Sequence, residues 1–211
     1  MAKNVAERRY DRIAWIYDSM ESPTERMFFS SLRRELLSSL RGKVLEVGVG
    51  TGKNLSYYPE GVELAAIDIS SRMLAKAAKR AEGLGMQVDL RRMDAEDLDF
   101  PDDYFDYAVA TFVFCSVPDP VRGLRELARV VKDDGLILLI EHVRSENRFL
   151  GKIMDWLNPV VRAVMGPNIN RRTVENVEKA GLKVISVERR GPEIVKKIQA
   201  RPAKGGEAGR S

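Results

Sequence analysis

The sequence has a single cysteine, Cys115, which excludes a disulfide within the chain and any metal site built from several cysteines. Long apolar runs are also missing. The longest, 136–140, is far below the roughly 20 residues of a membrane-spanning helix. The opening residues 1–12 lack the apolar segment of a secretory signal. We therefore expect a cytoplasmic protein.

An excess of one charge is lacking as well. The chain has 35 basic and 31 acidic residues, and a formal net charge of +4 does not indicate a nucleic-acid-binding protein. Most of the excess lies in residues 141–211, with 15 basic and 8 acidic side chains. Such a segment suits a phosphate group or peripheral contact with an anionic membrane at its inner surface, and it suits an ordinary solvated face equally well.

Short β-rich runs and helical segments alternate after Gly42. Strands are predicted at 43–47, 63–68, 86–92, 105–113, 135–143, 182–190 and 193–200. Helices are predicted at 6–20, 24–40, 52–58, 71–82, 119–132 and 174–181. Alternation implies crossovers between parallel strands, and Gly191-Pro192 indicates a final hairpin. We predict a Rossmann-like α/β fold: a seven-stranded, mostly parallel sheet with a reversed last strand and helices on both faces.

A chain of 211 residues suits one such domain. We expect the domain to span 1–202, followed by a disordered tail at 203–211. Its predicted parts are an N-terminal helical segment (1–41), an α/β core (42–143), a helical insert (144–181) and a C-terminal β-hairpin (182–200). Apolar residues recur at helical spacing over 148–165, where Pro159 should kink or divide the helix. This stripe fits core packing, an acceptor pocket or a lipid interface.

Three alternate glycines, Gly48, Gly50 and Gly52, follow the first buried strand, and Glu46 precedes them. A backbone without side chains can turn tightly and lets a ligand approach closely. A dinucleotide-binding G-x-G-x-x-G beginning at Gly48 would need glycine at position 53, where lysine stands. This register, together with the lack of a Tyr-x-x-x-Lys pair, argues against a nicotinamide oxidoreductase.

Acidic residues follow the next two strands. Asp68 stands 20 residues after Gly48, where a carboxylate can accept hydrogen bonds from both ribose hydroxyls of a nucleoside. The alternative is that Asp68 only caps the helix beginning near Ser71. Asp94 and Ala95 come after the third strand.

Together with the Phe-Asp-Tyr-Ala-Val-Ala strand at 105–110, these residues resemble class I S-adenosylmethionine-dependent methyltransferases over 42–143. The resemblance implies S-adenosyl-L-methionine as the cofactor and S-adenosyl-L-homocysteine as its product. It implies that 42–143 is the cofactor-binding core, that 1–41 forms an N-terminal helical lid over it, and that 144–181 is an acceptor-side helical insert. It also implies that Asp94 and Ala95 contact the adenine. The full set of expected cofactor-binding residues is Tyr17, Glu46, Gly48, Gly50, Gly52, Asp68, Ile69, Met73, Asp94, Ala95 and Thr111.

Aromatic residues cluster in the segment Tyr-Asp-Arg-Ile-Ala-Trp-Ile-Tyr-Asp at 10–18. Periodicity alone would assign them to core packing. The segment resembles the opening of the quinone-biosynthesis C-methyltransferases, which implies that Tyr17 contacts the methionine part of the cofactor. The same likeness makes Tyr10 a second candidate for contact with the cofactor, and Tyr10 is assigned to the acceptor side.

Methyl transfer depends mainly on positioning, and it needs an acceptor with an available lone pair. His142, the only histidine, ends the fifth predicted strand and is the candidate general base, although such a residue is often only structural. Arg171 and Arg172 could meet an acceptor phosphate, and Thr173 could cap the helix that follows. No metal is expected.

Residues 111–118 lack the Asn/Asp-Pro-Pro-Tyr/Phe motif of enzymes that methylate DNA bases or protein amides. The chain instead resembles bacterial phospholipid N-methyltransferases in Val-Gly-Val-Gly-Thr-Gly and residues 94–106, and thiol S-methyltransferases in Phe-Cys-Ser-Val and Glu-His-Val. Both likenesses imply a small hydrophobic or lipid acceptor, and the leading hypothesis is the head-group amine of phosphatidylethanolamine. The alternatives are a quinone precursor, a thiol, or a non-catalytic protein that binds the cofactor. The sequence leaves the oligomeric state open.

Overall fold

A computed structural model describes residues 23–164, 168–190 and 194–203. Six helical elements and seven strands follow one another in this part of the chain. They are α1 (Pro23–Leu37), β1 (Lys43–Val47), a 3-10 turn (Leu55–Tyr57), β2 (Glu63–Asp68), α2 (Ser71–Gly83), β3 (Asp89–Arg92), β4 (Phe105–Thr111), α3 (Pro120–Val130), β5 (Val131–His142), α4 (Arg148–Val164), α5 (Thr173–Lys179), β6 (Leu182–Arg189) and β7 (Val195–Pro202).

The strands form one seven-stranded sheet in the order β3-β2-β1-β4-β5-β7-β6. The first five strands pair in parallel, and β7 runs antiparallel to both β5 and β6. The predicted α/β fold with its reversed last strand is therefore confirmed. Strand order changes direction between β1 and β4, and open sheets of this kind bind ligands beside that point, at the carboxyl ends of the strands.

Buried side chains alternate between the two faces of the sheet, because successive residues of a strand point to opposite sides. In β1, Val44 faces α1 and α2, whereas Leu45 faces α3 and α5. The α3 helix begins with Pro120 directly after Asp119, whose Oδ1 accepts hydrogen bonds from two backbone N–H groups at 3.0 and 3.1 Å. This cap satisfies donors that a helix start leaves unpaired.

Several predicted boundaries are wrong for local reasons. Residues 52–58 form only the three-residue 3-10 turn, because Gly52 is left-handed (φ 81°) and interrupts any helix that would start there. The fourth strand ends at Thr111 instead of residue 113, since Phe112 has a φ of 60°. The helix predicted to reach residue 132 ends at Val130, because Val131 already pairs with Phe105 as the start of β5.

Two further expectations concern the insert. Of the two effects expected of Pro159, a kink or a division of the helix, the division is wrong, because α4 continues through this residue. Hydrogen bonds from residues before and after α4 fix the helix on both sides of its middle: Arg144 binds Asp155 at 2.8 Å, and the Ile169 N–H donates to the Asn158 side chain at 2.9 Å. Thr173 does not cap α5: the N-cap residue is Arg172, and the buried Thr173 hydroxyl has no hydrogen-bond partner in the described ranges.

The first helix of the predicted lid (6–20), the Gly191-Pro192 turn and the tail from 204 lie outside the described residues. The second helix of that predicted segment is α1, which ends at Leu37 instead of residue 40 and buries Leu32 and Leu36. None of the helices in the described ranges has both the length and the apolar character to cross a bilayer.

Candidate active site

A cleft opens at the carboxyl ends of β1, β2, β3 and β4, on both sides of the point where strand order changes direction. Residues at the ends of these strands and just after them line it. They are Val47, Gly48 and Gly50 at β1, Ile67, Asp68, Ile69 and Met73 at β2, Met93, Asp94 and Ala95 at β3, and Thr111, Phe112, Val113, Ser116, Val117 and Pro118 at β4. The fold thus collects eight of the sequence-predicted cofactor residues in one cleft.

The glycine loop needs glycine for two different reasons. A Cβ on Gly48 would lie 2.5 Å from Cγ2 of Val113, so a side chain there would displace the loop after β4. A Cβ on Gly52 would lie 2.8 Å from Cδ1 of Leu55 and 3.2 Å from Cα of Ala77, so this glycine permits close packing against α2. Both have positive φ angles, 67° and 81°, which side chains disfavour. The loop therefore keeps its backbone open toward the cleft.

Asp68 connects this loop to the start of α2. Its Oδ2 accepts a hydrogen bond from the Gly50 N–H at 2.9 Å, and its Oδ1 accepts from the Ser70 N–H at 2.8 Å. Ser70, not Asp68, caps α2, because its hydroxyl accepts from the Met73 N–H at 3.2 Å. The capping alternative for Asp68 is therefore wrong. A carboxylate has about four acceptor positions, so Asp68 can still accept bonds from ligand hydroxyls.

Glu46 lies beneath the glycine loop with 1% of its surface exposed, and it is not among the residues that line the cleft. Its Oε1 accepts from Asn54 Nδ2 at 2.8 Å and its Oε2 accepts from the Tyr58 hydroxyl at 2.9 Å. Asn54 also donates to the Thr111 hydroxyl at 3.1 Å. Burial raises the pKa of Glu46 from 4.5 to about 7, against the lowering effect of the Tyr58 and Asn54 hydrogen bonds.

Sequence reasoning missed Asn54 and Tyr58, since both lie in a segment that was predicted to be an ordinary helix. Their polar side chains fix the Glu46 carboxyl below the loop, so Glu46 supports the loop from inside. Gly52 is likewise a packing position that does not line the cleft.

Asp94 and Ala95 form a turn after β3 at the far side of the cleft. Asp94 Oδ1 accepts from the Glu96 N–H at 3.0 Å, and Ala95 is buried. The α3 helix approaches so closely that a Cβ on Gly123 would lie 3.3 Å from the Ala95 carbonyl oxygen. Neighbouring Met93 also lines the cleft, although the sequence did not single it out.

The loop after β4 is held by a buried carboxyl that sequence reasoning did not use. Glu141 has 0% of its surface exposed, and its Oε1 accepts from the N–H groups of Val113 and Phe114, both at 2.9 Å. Burial raises the pKa of Glu141 to about 7, while these backbone bonds lower it. The only feature of the sequence that could have indicated this role of Glu141 was its position beside His142. Burial also raises the pKa of Cys115 to about 12, which makes this thiol a poor nucleophile.

The predicted base His142 and the predicted acceptor-side residues Arg171 and Arg172 do not line the cleft. The His142 ring stacks on Phe112, with centroids 4.5 Å apart and planes inclined by 31°. Arg171 reaches the rim, where its Nη2 donates to the Val117 carbonyl at 2.7 Å, whereas Arg172 pairs with Glu175 at 3.1 Å on the surface. Tyr10 and Tyr17 lie outside the described residues.

Across the described ranges, no group of three or more His, Cys, Asp and Glu side chains is arranged to hold a metal ion. Among the lining residues, the side chains with oxygen are the Asp68 and Asp94 carboxylates and the Thr111 and Ser116 hydroxyls. A glycine loop after β1 and an acid after β2, both beside the change of strand order, define a nucleoside-binding site of the Rossmann type.

Comparison with known proteins identifies the family. A family described as "Methyltransferase domain" matches residues 45–139. The demethylmenaquinone methyltransferase of Lysinibacillus sphaericus is 31% identical over 157 residues, which cover 69% of this chain and 67% of that protein. The chain belongs to the S-adenosylmethionine-dependent methyltransferase family, and S-adenosyl-L-methionine is therefore its cofactor.

Other relatives differ in acceptor. The phosphatidylethanolamine N-methyltransferase of Cereibacter sphaeroides is 46% identical over 103 residues, covering 48% of this chain and 51% of that protein. A human thiol S-methyltransferase is 28% identical over 185 residues, covering 84% and 75%. The chain spans about half the length of some curated relatives, 51% of the Cereibacter enzyme and 47% of an uncharacterized methyltransferase of Bacillus subtilis.

Solved structures share the fold. An S-adenosylmethionine-dependent methyltransferase from Aquifex aeolicus has a TM-score of 0.67 at 22% identity, covering 89% of this chain and 97% of that chain. A geranyl diphosphate C-methyltransferase from Streptomyces coelicolor, in complex with S-adenosyl-L-homocysteine, has a TM-score of 0.71 at 13% identity, covering 96% and 100%.

Proposed function

We propose that this protein transfers a methyl group from S-adenosyl-L-methionine to a small hydrophobic or lipid acceptor, and that its acceptor is the head-group amine of phosphatidylethanolamine. The observation that carries the proposal is the composition of the cleft. Its β1 and β2 side offers the glycine loop and Asp68, whereas its β4 side offers an apolar wall of Phe112, Val113 and Val117. The 46% identity to a phosphatidylethanolamine N-methyltransferase supports the choice of lipid.

The cleft residues fit the cofactor. Asp68 would accept hydrogen bonds from the ribose hydroxyls, because its carboxylate already lies between Gly50 and Ser70 at the mouth of the loop. Gly48 and Gly50 would let the amino acid part approach the backbone. Asp94 and Ala95 would contact the adenine, with Ile69, Met73 and Thr111 completing the wall, while Glu46 and Gly52 hold the loop from behind. Tyr17 keeps its proposed contact with the methionine part.

When bound, the cofactor supplies a methyl group already activated on a sulfonium, so the protein needs mainly to position the acceptor and exclude water. Phe112 and Val117 would exclude water from the acceptor side of the cleft. An ammonium head group must lose a proton before it can attack. His142 is the proposed base; because its ring stacks on Phe112 and does not line the cleft, this role requires the acceptor amine to reach the imidazole past the Phe112 ring.

The acceptor phosphate would meet basic residues at the rim. Arg171 is held there by its bond to the Val117 carbonyl, and Arg172 follows it on the surface. This arrangement puts positive charge next to an apolar wall, as a phospholipid would require. We also propose that Tyr10 contributes to the acceptor side, and that the protein works in peripheral contact with a membrane.

The test uses the purified chain, S-adenosyl-L-methionine labelled in its methyl group, and vesicles that contain phosphatidylethanolamine. Labelled lipid should form, and monomethyl, dimethyl and trimethyl products can be separated by chromatography. The variant Asp68→Ala serves as a control for cofactor-dependent transfer. If the wild-type protein labels no lipid, the proposed acceptor is wrong.

A quinone precursor is the second candidate, because the demethylmenaquinone methyltransferase matches over 69% of this chain. A small thiol is the third, given the 84% coverage by the human thiol S-methyltransferase. Parallel assays with demethylmenaquinone and with a small alkyl thiol would distinguish these acceptors. Calorimetric binding of the cofactor without transfer to any of them would favour a non-catalytic binding protein.

A further inference from the structure

The α4 helix exposes an unusual amount of apolar surface. Five large apolar side chains on it are exposed by 37% to 78%: Phe149 (76%), Leu150 (41%), Ile153 (37%), Trp156 (78%) and Leu157 (38%). Their spacing of one, three and four residues places them on one face of the helix. We call this face the apolar stripe. Contiguous exposed apolar surface of this kind marks a contact with a partner or a membrane.

The apolar stripe is separate from the face by which α4 is attached to the protein. Gly151 and Met154 are buried on that attached face. Asp155 binds Arg144 at 2.8 Å and Asn170 at 3.1 Å. The helix is thus fixed on the body of the protein through one face, while the stripe is left uncovered by the described residues.

Contacts at the end of α4 connect the helix to the cleft. Asn158 Nδ2 donates to Asn168 Oδ1 at 3.2 Å. Asn168 in turn donates to the Cys115 carbonyl through its backbone N–H at 2.8 Å and its side chain at 3.1 Å. Cys115 belongs to the loop after β4, in which the adjacent Ser116 and the following Val117 line the cleft. A surface that contacts the apolar stripe would therefore lie near the acceptor side of the cleft.

The charge beside the stripe indicates what it contacts. Arg148 and Lys152 are exposed, and they follow the stripe on the flank of α4 away from Met154. The surrounding segment 141–211 has 15 basic and 8 acidic residues. Exposed tryptophan and phenylalanine next to basic side chains are typical of helices that lie in the interface of an anionic membrane.

We propose that α4 docks this protein on an anionic lipid bilayer, with the apolar stripe in the interface and Arg148 and Lys152 at the phosphates. This inference rests on the proposed lipid acceptor, because a protein that docks through α4 would have its cleft close to the lipid head groups. A second copy of the chain or a protein partner is the competing occupant, and the flanking positive charge favours an anionic bilayer over either.

The experiment measures sedimentation of the full chain with vesicles of phosphatidylcholine and phosphatidylglycerol in equal parts, and with pure phosphatidylcholine, without cofactor. The wild type should bind the anionic vesicles and bind pure phosphatidylcholine at least about tenfold more weakly. Phe149→Ser/Trp156→Ser should weaken binding to anionic vesicles at least about tenfold, since both side chains leave the interface. Leu84→Ser/Ile185→Ser, at positions exposed by 47% and 46%, is the matched control and should bind within about twofold of wild type.

The charge contribution is tested separately. Arg148→Gln/Lys152→Gln should weaken binding to anionic vesicles about tenfold and reduce its salt dependence. Lys79→Gln/Lys183→Gln removes two exposed lysines elsewhere and is the control. In a Trp15→Phe protein, Trp156 is the only tryptophan, and its fluorescence should shift to shorter wavelength with anionic vesicles.

Three results would overturn the inference. The first is a wild-type protein that stays in solution with anionic vesicles. The second is a Phe149→Ser/Trp156→Ser protein that melts like the wild type and binds vesicles equally well. The third is a wild-type dimer that this double variant converts to monomer while vesicle binding is absent, which would assign the stripe to a second copy.

Failure of the proposed function gives a different pattern. With short-chain phosphatidylethanolamine kept monomeric, below its critical micelle concentration, the Phe149→Ser/Trp156→Ser protein should methylate lipid as fast as the wild type, because no lipid interface is involved. A wild type that binds anionic vesicles but methylates no phosphatidylethanolamine in either form would refute the acceptor and leave the docking role of α4 intact.

Discussion

Replacing Glu46 with glutamine should remove a large pH dependence of stability. The carboxyl is fully buried beneath the glycine loop, and burial raises its pKa from 4.5 to about 7. A folded-state pKa above the unfolded value means that the folded protein retains a proton that the unfolded chain has already lost. Stability from the protonated carboxyl is thus fully present below pH 4.5 and is lost as the pH rises through 7.

The size of this effect follows from the shift. One pKa unit corresponds to about 1.4 kcal/mol, so the wild type should lose about 3 kcal/mol of unfolding free energy from this group between pH 4.5 and pH 8. Glutamine has a similar shape and can still pair with Asn54 and Tyr58 without a charge. The Glu46→Gln protein should therefore gain about 3 kcal/mol relative to wild type over the same range. Glu141 is unchanged in both proteins, so its own titration cancels.

Urea unfolding at several pH values between these limits measures the difference. Glu63→Gln is the control, because Glu63 is exposed on β2 and its replacement should leave the pH dependence as in the wild type. Parallel curves of unfolding free energy against pH for wild type and Glu46→Gln would refute the reasoning.

Four further changes test the site and its support. Asp68→Ala should weaken cofactor binding at least about tenfold by calorimetry, because charge-assisted hydrogen bonds of about 1.5–3 kcal/mol are lost. His142→Ala should lower kcat near neutral pH and leave cofactor affinity unchanged. Gly52→Ala should lower the unfolding free energy by about 1–3 kcal/mol, since its Cβ would lie 2.8 Å from Leu55 Cδ1. Arg129→Met should lower it by about 2 kcal/mol, because its guanidinium donates to the Leu98 and Phe100 carbonyls at 2.7 and 2.8 Å.

Each of these four predictions has a result that would contradict it or a control variant. An unaltered dissociation constant for Asp68→Ala would remove the ribose assignment, and wild-type turnover at every pH for His142→Ala would remove the base. Gly83→Ala is the control for Gly52, because nothing lies within 4 Å of the added atom, and it should cost no stability. Arg125→Met, which removes a single bond of 3.4 Å from the same helix as Arg129, should cost less than about 1 kcal/mol.

The central strands could be predicted from sequence alone. The bounds of β1 (43–47) and β2 (63–68) agree with the structure to the residue. Both are short apolar runs followed by a change of composition, which is the pattern of strands buried on both faces. The spacing of the three alternate glycines was also informative: the sequence predicts a tight turn there, and each of the three has a positive φ in the structure.

The predicted boundaries are wrong where a contact with a residue distant in sequence decides the local conformation. Residues 52–58 have the pattern of a helix, but the side chains of Asn54 and Tyr58 donate hydrogen bonds to Glu46 instead. The sequence predicts the start of β5 four residues too late, because the acidic residues at 133 and 134 interrupt the apolar pattern of the strand. In the structure the strand begins at Val131, which pairs with Phe105.

The sequence by itself determined the order of strands and helices, the glycine loop and the acid that follows the second strand, because each depends on residues adjacent along the chain. Tertiary structure decided how these parts meet: that Asp68 reaches Gly50 across 18 residues, and that Glu141 holds the N–H of Val113 across 28. It also decided which face of α4 is packed and which is exposed. Helical periodicity fixes that a stripe exists, whereas only the position of neighbouring elements fixes whether that stripe is covered.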